Sequence, residues 1–254
     1  WAADLLPSPT LEPAVCGYPG DRLSSSGTFL CDPDGLLASV NTWRRVEALL
    51  EDISGLPIPC GEREEDGATQ NGIEGGVAIV SRILPSISSS SAIGRGDGRG
   101  APTAVTAEQF ARGVHDSWGV GKAACDNGFV LVASREDRSF AISVGLGLER
   151  YLTPRDRNAA LNAMKPLLRE GDWDAAVLLA LEEIRRRTRK NLAKTERASG
   201  VGNPGPPSPS FFGKGWEDLK RWVVDRRGGG GSGGAPGSGD GNGSGGGGGG
   251  GAVF

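Results

Sequence analysis

Apolar residues recur at helical spacing in four parts of the chain. The first part carries them on one helix face: Val40, Trp43, Val46, Leu50 and Ile53. Apolar residues three or four positions apart are typical of an amphipathic α-helix that packs by one side. Ser39 or Asn41 can cap the start of this helix. Gly55 and Pro57 end it.

Each of the three later helices follows a capping signal. Thr106 with Gln109 has the spacing of a capping box. Thr153 is an N-cap before Pro154, whose missing N–H costs nothing at the first helical position. Asp172 caps the last helix. The predicted apolar faces are Phe110, Ala111, Val114 and Trp118; Leu161, Met164, Leu167 and Leu168; and Trp173, Ala176, Val177, Ala180, Leu181 and Ile184.

Three short apolar stretches predict strands. Residues 76–83, GVAIVSRI, are β-branched and apolar, which suits a buried strand. The stretches GFVLVAS at 128–134 and SFAISVG at 139–145 are joined by a charged turn at 135–138. Two such runs with a short polar connection indicate an antiparallel hairpin.

The order helix, strand, helix, strand, strand, helix, helix predicts an α/β domain over residues 29–193. Its mixed central sheet is covered by helices. Polar or Ser/Gly-rich loops at 61–75 and 85–104 flank the first predicted strand. The second loop is long for a compact domain, and we interpret it as a tolerated insertion.

The segments outside this domain differ from it in composition. Residues 1–28 are rich in Pro, Ser and Gly and predict an irregular arm. Residues 194–212 predict a linker, and 213–227 a short amphipathic helix that docks on the domain or meets a membrane or partner. Residues 228–254 are nearly all Gly and Ser and predict a disordered tail.

Net charge and hydropathy limit the classes of partner that the sequence predicts. The net charge is −3 and the basic residues are spread along the chain, so no nucleic-acid partner is predicted. No stretch is long and apolar enough for a transmembrane segment. The chain begins with Trp1 instead of Met, so removal of such a segment from a longer precursor stays open.

The four cysteines predict disulfides. Cys16, Cys31, Cys60 and Cys125 are widely separated, and the chain has a single histidine. Structural zinc sites usually draw ligands from closely spaced pairs, so zinc is disfavoured. We predict two disulfides formed in an oxidising compartment, with reduced, partly buried thiols as the alternative. Three pairings satisfy four cysteines, and spacing does not choose among them.

Three acidic residues stand in glycine-rich turns. Asp32 lies in CDPDG, Asp126 in CDNG, and Glu149 ends GLGLE. Carboxylates on open turns are typical ligands of hard divalent cations. The alternative is structural, since Asp-Pro and Asp-Asn-Gly are common turn formers. His115 falls near the side of its helix opposite the apolar residues, so we interpret it as a solvated or second-layer residue instead of a general base.

In order along the chain, the sequences CDPDGLLA, WGVGKAACDNG, GLGLE and GDWDAA resemble the TPM domain over about residues 29–190. That resemblance implies a three-layer α/β/α sandwich. It also implies a divalent cation, commonly calcium, with Asp32, Asp126 and Glu149 as its metal-site residues. The family often has Thr-Asp where this chain has Thr153-Pro154, which removes one ligand.

The resemblance implies two functions, because the family includes a thylakoid-lumen acid phosphatase, bacterial envelope proteins and an animal modulator of acetylcholine-gated receptors. The first hypothesis is an interaction module for a membrane protein or membrane complex. It would be extracellular or lumenal, and membrane-tethered in the full-length protein. The alternative is a metal-dependent acid phosphatase acting on phosphomonoesters. No nucleophile is identifiable, so whether the chain is an enzyme stays open.

Overall fold

The computed structural model describes four stretches of the chain: residues 1–17, 29–58, 72–85 and 105–198. Two compact units divide the chain, Trp1–Pro207 and Ser208–Phe254, and every described residue lies in the first. The predicted loops and linker lie largely outside the described residues. The predicted amphipathic helix and Gly-rich tail lie outside them altogether.

Four helices and four strands follow one another along the described residues. In chain order the elements are a 3₁₀ turn Ala3–Leu5, β1 Phe29–Cys31, α1 Val40–Ser54, β2 Glu74–Val80, α2 Ala107–Trp118, β3 Gly128–Ser134, β4 Ser139–Val144, α3 Pro154–Arg169 and α4 Trp173–Ala198. Every helix and strand predicted between residues 29 and 193 is present. Strand β1 was not predicted, because three residues are too few to show a periodicity. Helix α4 continues past the predicted boundary at 193.

The strands form one mixed sheet in the order β1-β2-β3-β4. Strands β1, β2 and β3 are parallel, and β4 returns antiparallel to β3. The carboxyl ends of the three parallel strands therefore share one edge of the sheet, at Cys31, Val80 and Ser134. Their amino ends share the opposite edge, where Glu74 pairs with Gly128.

Helices cover both faces of the sheet, which confirms the predicted three-layer α/β/α architecture. Helix α2 and the N-terminal segment bury the face that carries Val130 and Val132. The other face packs on α1 and α3, and α4 packs against both of these helices. A side chain at Gly75, for example, would meet Leu50 of α1 and Phe129 of β3. Strand β3 is buried along its whole length, so its side chains contribute to both hydrophobic layers.

The N-terminal residues are part of the core. Ala3, Leu6 and Cys16 are buried against α2 and the sheet. Cys16 forms a disulfide with Cys31 at the end of β1, which confirms the disulfide prediction for this pair. Cys125 is also disulfide-bonded. Cys60 lies outside the described residues.

Capping residues begin α1, α2 and α3 as the sequence predicts, with Ser39 chosen over Asn41 for α1. Helix α3 has a reciprocal capping box that was not predicted. The Thr153 hydroxyl accepts from the backbone N–H of Asp156, and the Asp156 carboxylate accepts from the Thr153 backbone and hydroxyl. The same carboxylate accepts from Arg187 and Asn191 of α4. Asp156 therefore joins the last two helices.

The ionised form of Asp156 stabilises the fold. Partial burial opposes its ionisation, but hydrogen bonds from Thr153, Arg187 and Asn191 outweigh this and hold the pKa of Asp156 below its ordinary value. A lowered pKa adds stability that is present above the unfolded value of about 4 and is lost as the pH falls through the folded value. Urea midpoints measured from pH 7 down to pH 3 should therefore fall less steeply for Asp156→Asn than for the unchanged chain. Thr153→Ala, which removes the hydroxyl donor to this carboxylate together with the N-cap acceptor, should give a slope between the two. Parallel profiles would contradict the assignment.

Candidate functional site

The three predicted cation ligands do not come together. Asp32 directly follows β1, at the carboxyl edge of the parallel strands, whereas Asp126 precedes β3 at the amino edge. Strand β2, which runs between these edges, has seven residues, a length of about 20 Å at the usual rise per residue. Glu149 follows β4, which is antiparallel, so it shares the edge with Asp126. Asp126 and Glu149 therefore lie at the same edge of the sheet, and Asp32 lies at the opposite edge.

Asp32 is enclosed by backbone. Its side chain is buried, and its two oxygens accept hydrogen bonds from the N–H groups of Leu36 at 2.8 Å and Leu37 at 2.7 Å. Burial raises the pKa of Asp32, against the opposing effect of these N–H donors. This carboxylate shapes the turn between β1 and α1, which is the structural alternative considered for CDPDG.

Hydrogen bonds join Asp126 to the glycine turn after β4. Asp126 has a left-handed backbone with φ of 45°. Its carboxylate accepts from the N–H of Leu146 at 2.7 Å, and its carbonyl accepts from the N–H of Gly147 at 3.0 Å. A side chain on Gly147 would collide with the carbonyl oxygen of Cys125, so this close approach requires glycine. Glu149 follows and pairs with Arg157 of α3 at 3.5 Å.

These residues do not by themselves make a cation site. Among the described residues, no group of three or more His, Cys, Asp or Glu side chains is placed to hold a metal ion. The Asp126 carboxylate already accepts from a backbone N–H, and Glu149 faces a guanidinium group. A divalent cation takes several oxygen ligands, so one held here would draw on backbone carbonyls, water or residues beyond the described ranges. The calcium hypothesis stays a prediction.

An open cleft of about 740 Å³ runs beside β4, between α2 and α3. Strand β4 is an edge strand, so one long side of it forms the floor of this cleft. Asp126 and Leu146 lie at one end. The ionised side chains along the cleft are four carboxylates and two guanidinium groups: Glu108, Asp116, Asp126 and Glu149, with Arg112 and Arg157. The cleft is therefore mainly acidic.

His115 lies in the wall of this cleft; of the two roles predicted for it, the solvated one is wrong, and the second-layer one stays a prediction. Its side chain is only 7% exposed. Its Nε2 lies 2.8 Å from the carbonyl oxygen of Val120, and its Nδ1 lies 2.9 Å from the Ser143 hydroxyl of β4. A carbonyl can only accept, so Nε2 carries a proton and donates to Val120. The helical pattern missed this contact because β4 packs around the side of α2.

The His115 contacts tie α2 to β4. We expect His115→Ala to lower the free energy of unfolding by about 2 kcal/mol, because it leaves the Val120 carbonyl and the Ser143 hydroxyl without their partner. Ser143→Ala, which removes one bond and keeps the imidazole, should cost about 1 kcal/mol. Urea denaturation of both variants measures this. Equal and negligible losses would show that the pair contributes nothing to stability.

Three solved structures that resemble the chain come from bacteria. The N-terminal domain of a protein from P. gingivalis is 21% identical, with a TM-score of 0.43, over 63% of this chain and 82% of that one. The BA42 protein of Bizionia argentinensis is 12% identical, with a TM-score of 0.40, over 61% and 86%. The N-terminal domain of the cg2496 protein of Corynebacterium glutamicum is 16% identical, with a TM-score of 0.40, over 66% and 83%. No curated protein matches the chain.

Two family profiles match overlapping parts of the sequence. The TPM domain matches residues 100–187, which include α2, the hairpin, α3 and the start of α4. The family called modulator of levamisole receptor-1 matches residues 1–138, more than half of the chain, including the Cys16–Cys31 disulfide. Both matches include Asp126 and His115. The chain therefore belongs to the modulator of levamisole receptor-1 family and contains a TPM domain.

Proposed function

We propose that this chain is an extracellular or lumenal module that binds a membrane receptor and modulates its activity. The observation that carries the proposal is the match of residues 1–138 to a family called modulator of levamisole receptor-1. The disulfides support it, since such bonds persist in oxidising compartments. Within the described residues, no helix is both long and apolar enough to cross a bilayer. Tethering of the full-length protein to the membrane is part of the proposal.

Receptor recordings test this function. The chain would be secreted from oocytes that express a levamisole-gated receptor, and the agonist current would be measured by voltage clamp. We expect the current to change in peak or desensitisation when the chain is present. An unrelated secreted disulfide domain at the same level is the control. A current unchanged over a range of chain concentrations would reject this function.

Hydrolysis of a phosphomonoester is the second candidate. Here one observation favours it beyond the TPM match: the Ser143 hydroxyl lies 2.9 Å from Nδ1 of His115, in the wall of the acidic cleft. A hydroxyl placed this way can lose its proton to the ring. Phosphate release from an aryl phosphate, with and without calcium or magnesium, tests this candidate. Phosphate release that persists in Ser143→Ala would exclude a catalytic role for Ser143. The absence of any phosphate release would exclude the phosphatase activity.

A structural divalent cation at the Asp126 end of the sheet is a further part of the proposal. Calcium and then magnesium would be titrated calorimetrically into the metal-stripped chain. Binding that is lost in Asp126→Asn and kept in Asp32→Asn would assign the cation to the Asp126 turn. The second variant is a matched control, because Asp32 lies at the opposite sheet edge. Binding unaffected by either variant would exclude both turns.

A further inference from the structure

We propose that the free edge of β4 binds an extended, basic segment of the partner membrane protein as an additional strand. This inference rests on the proposed function, because it names the surface through which the module meets its partner. Edge strands that remain open can bind an extended peptide through main-chain hydrogen bonds. The hydrogen-bonding pattern of β4, the shape of the cleft and its charge each favour this surface.

The alternation of hydrogen-bonded and non-hydrogen-bonded residue pairs between β3 and β4 shows which backbone groups of β4 point away from β3. The N–H of Gly145 donates to the carbonyl of Gly128 at 2.9 Å, so this pair is a hydrogen-bonded one. Such pairs alternate along an antiparallel ladder. Val144 opposite Phe129 and Ile142 opposite Leu131 are therefore pairs whose backbone groups point away from β3. Their N–H and C=O groups point into the cleft.

These outward groups are available. Among the hydrogen bonds of the described residues, none involves the backbone N–H or C=O of Ile142 or Val144 beyond the sheet. The cleft follows β4 from Ala141 to Leu146, and a second hollow, of about 640 Å³, continues along Ser139 and Phe140. The two hollows together adjoin every residue of β4, whose two central residues, Ala141 and Ile142, are buried.

Strand β1, the other outer strand of the sheet, is protected, so β4 is the open outer strand. Strand β1 has three residues. Cys31 at its end is bonded to Cys16, and the N–H of Asp32 donates to the Cys16 carbonyl at 2.9 Å. Short length and a covering segment are common ways to protect an edge. Strand β4 has six residues and, among the described residues, neither protection.

The cleft has the chemistry to select its occupant. Leu146, at the end of β4, is an apolar side chain that is 78% exposed, and it offers an anchor beside the open edge. Carboxylates outnumber guanidinium groups around the cleft by two to one, and Arg157 is already paired with Glu149. A complementary segment carries lysine or arginine alternating with apolar residues, because side chains of a strand point alternately to its two sides.

A defined peptide tests the edge on the full chain. The probe is an octapeptide of alternating lysine and valine, and amide hydrogen exchange is followed by NMR. At saturating peptide we expect the amides of Ile142 and Val144 to exchange about tenfold more slowly. The same peptide with glutamate in place of lysine should bind about tenfold more weakly. A lysine-valine peptide N-methylated at alternate residues should leave both amides unchanged.

Two variants of the chain complete the test. Ile142→Pro removes an outward N–H without removing a bond to β3, since this position is not hydrogen-bonded to that strand. It should abolish protection of the Val144 amide by the peptide, which is the remaining readout because proline has no amide proton. Glu108→Gln with Asp116→Asn changes two exposed α2 carboxylates and should weaken binding while keeping the fold. The charge variant and the methylated peptide decide the matter if the proline variant does not fold.

The outcomes separate this inference from the proposed function. Receptor modulation together with unprotected Ile142 and Val144 amides would overturn the β4 proposal and leave the modulator function standing. Protection that appears without peptide as the chain is concentrated would assign the edge to a second copy, which also overturns it. Protection by the basic peptide that fails in the charge variant would support the edge even if the receptor tested does not respond.

Discussion

Replacing both Cys16 and Cys31 by serine should lower the free energy of unfolding by about 3 kcal/mol, the chain-entropy value for closing a loop of 15 residues. The bond joins the N-terminal segment to the end of β1, and both cysteines are fully buried. Loss of the cross-link therefore frees Ala3 and Leu6 to leave the core, in addition to enlarging the unfolded ensemble. Denaturation by guanidinium measures the change.

A paired comparison isolates the cross-link. The Cys16→Ala, Cys31→Ala variant also lacks the bond but buries no hydroxyl, so the difference between the two variants gives the cost of the serine oxygens. Reducing the unchanged chain is a poorer test, because Cys125 is disulfide-bonded too. A transition midpoint that stays the same in both variants would show that this bond does not stabilise the fold.

Asp174→Ala should destabilise the fold to a similar extent, by about 3 kcal/mol, because it removes two hydrogen bonds to a buried carboxylate, one from the partly buried Ala38 N–H and one from the buried Thr42 hydroxyl. Asp174 stands in the first turn of α4 and is buried. One carboxylate oxygen accepts from the backbone N–H of Ala38 at 2.9 Å, and the other accepts from the Thr42 hydroxyl at 2.7 Å. This single side chain therefore joins α4 to the start of α1, across much of the chain.

Thr42→Val is the matched control for Asp174. It removes the hydroxyl donor, keeps the shape of the side chain and leaves the bond from Ala38 in place. It should cost about half as much as Asp174→Ala. Thermal unfolding followed by circular dichroism in the far ultraviolet measures both variants. If Thr42→Val destabilised the chain more than Asp174→Ala, the carboxylate would not be the centre of this contact.

Helices and long strands were predictable from the sequence because each buries an apolar face with its own period. Strand β1 was not, since its burial depends on pairing with β2 and not on any pattern within its three residues. The buried role of Asp174 was equally hidden, as both of its partners lie near α1. Local periodicity determines the secondary-structure elements. Contacts between residues distant in sequence determine which polar side chains are buried.

The predicted cation site illustrates the same limit. Asp32 and Asp126 share the dipeptide Cys-Asp, which made them look equivalent. Asp32 follows the end of one strand, and Asp126 precedes the start of another. In a parallel arrangement, these two positions belong to opposite edges of the sheet. The order of strand and acidic turn along the chain was the available signal, and it distinguishes the two aspartates once both strands are recognised.

The disulfides also connect stability with biosynthesis. Cys31 lies at the carboxyl edge of the parallel strands and Cys125 near the amino edge, so each end of the sheet has its own covalent bond. Chains made in a reducing compartment would lack both bonds from the start. Oxidation is thus a step in the maturation of this protein: an oxidised molecule has a sheet with a disulfide near each end, and a reduced molecule has neither.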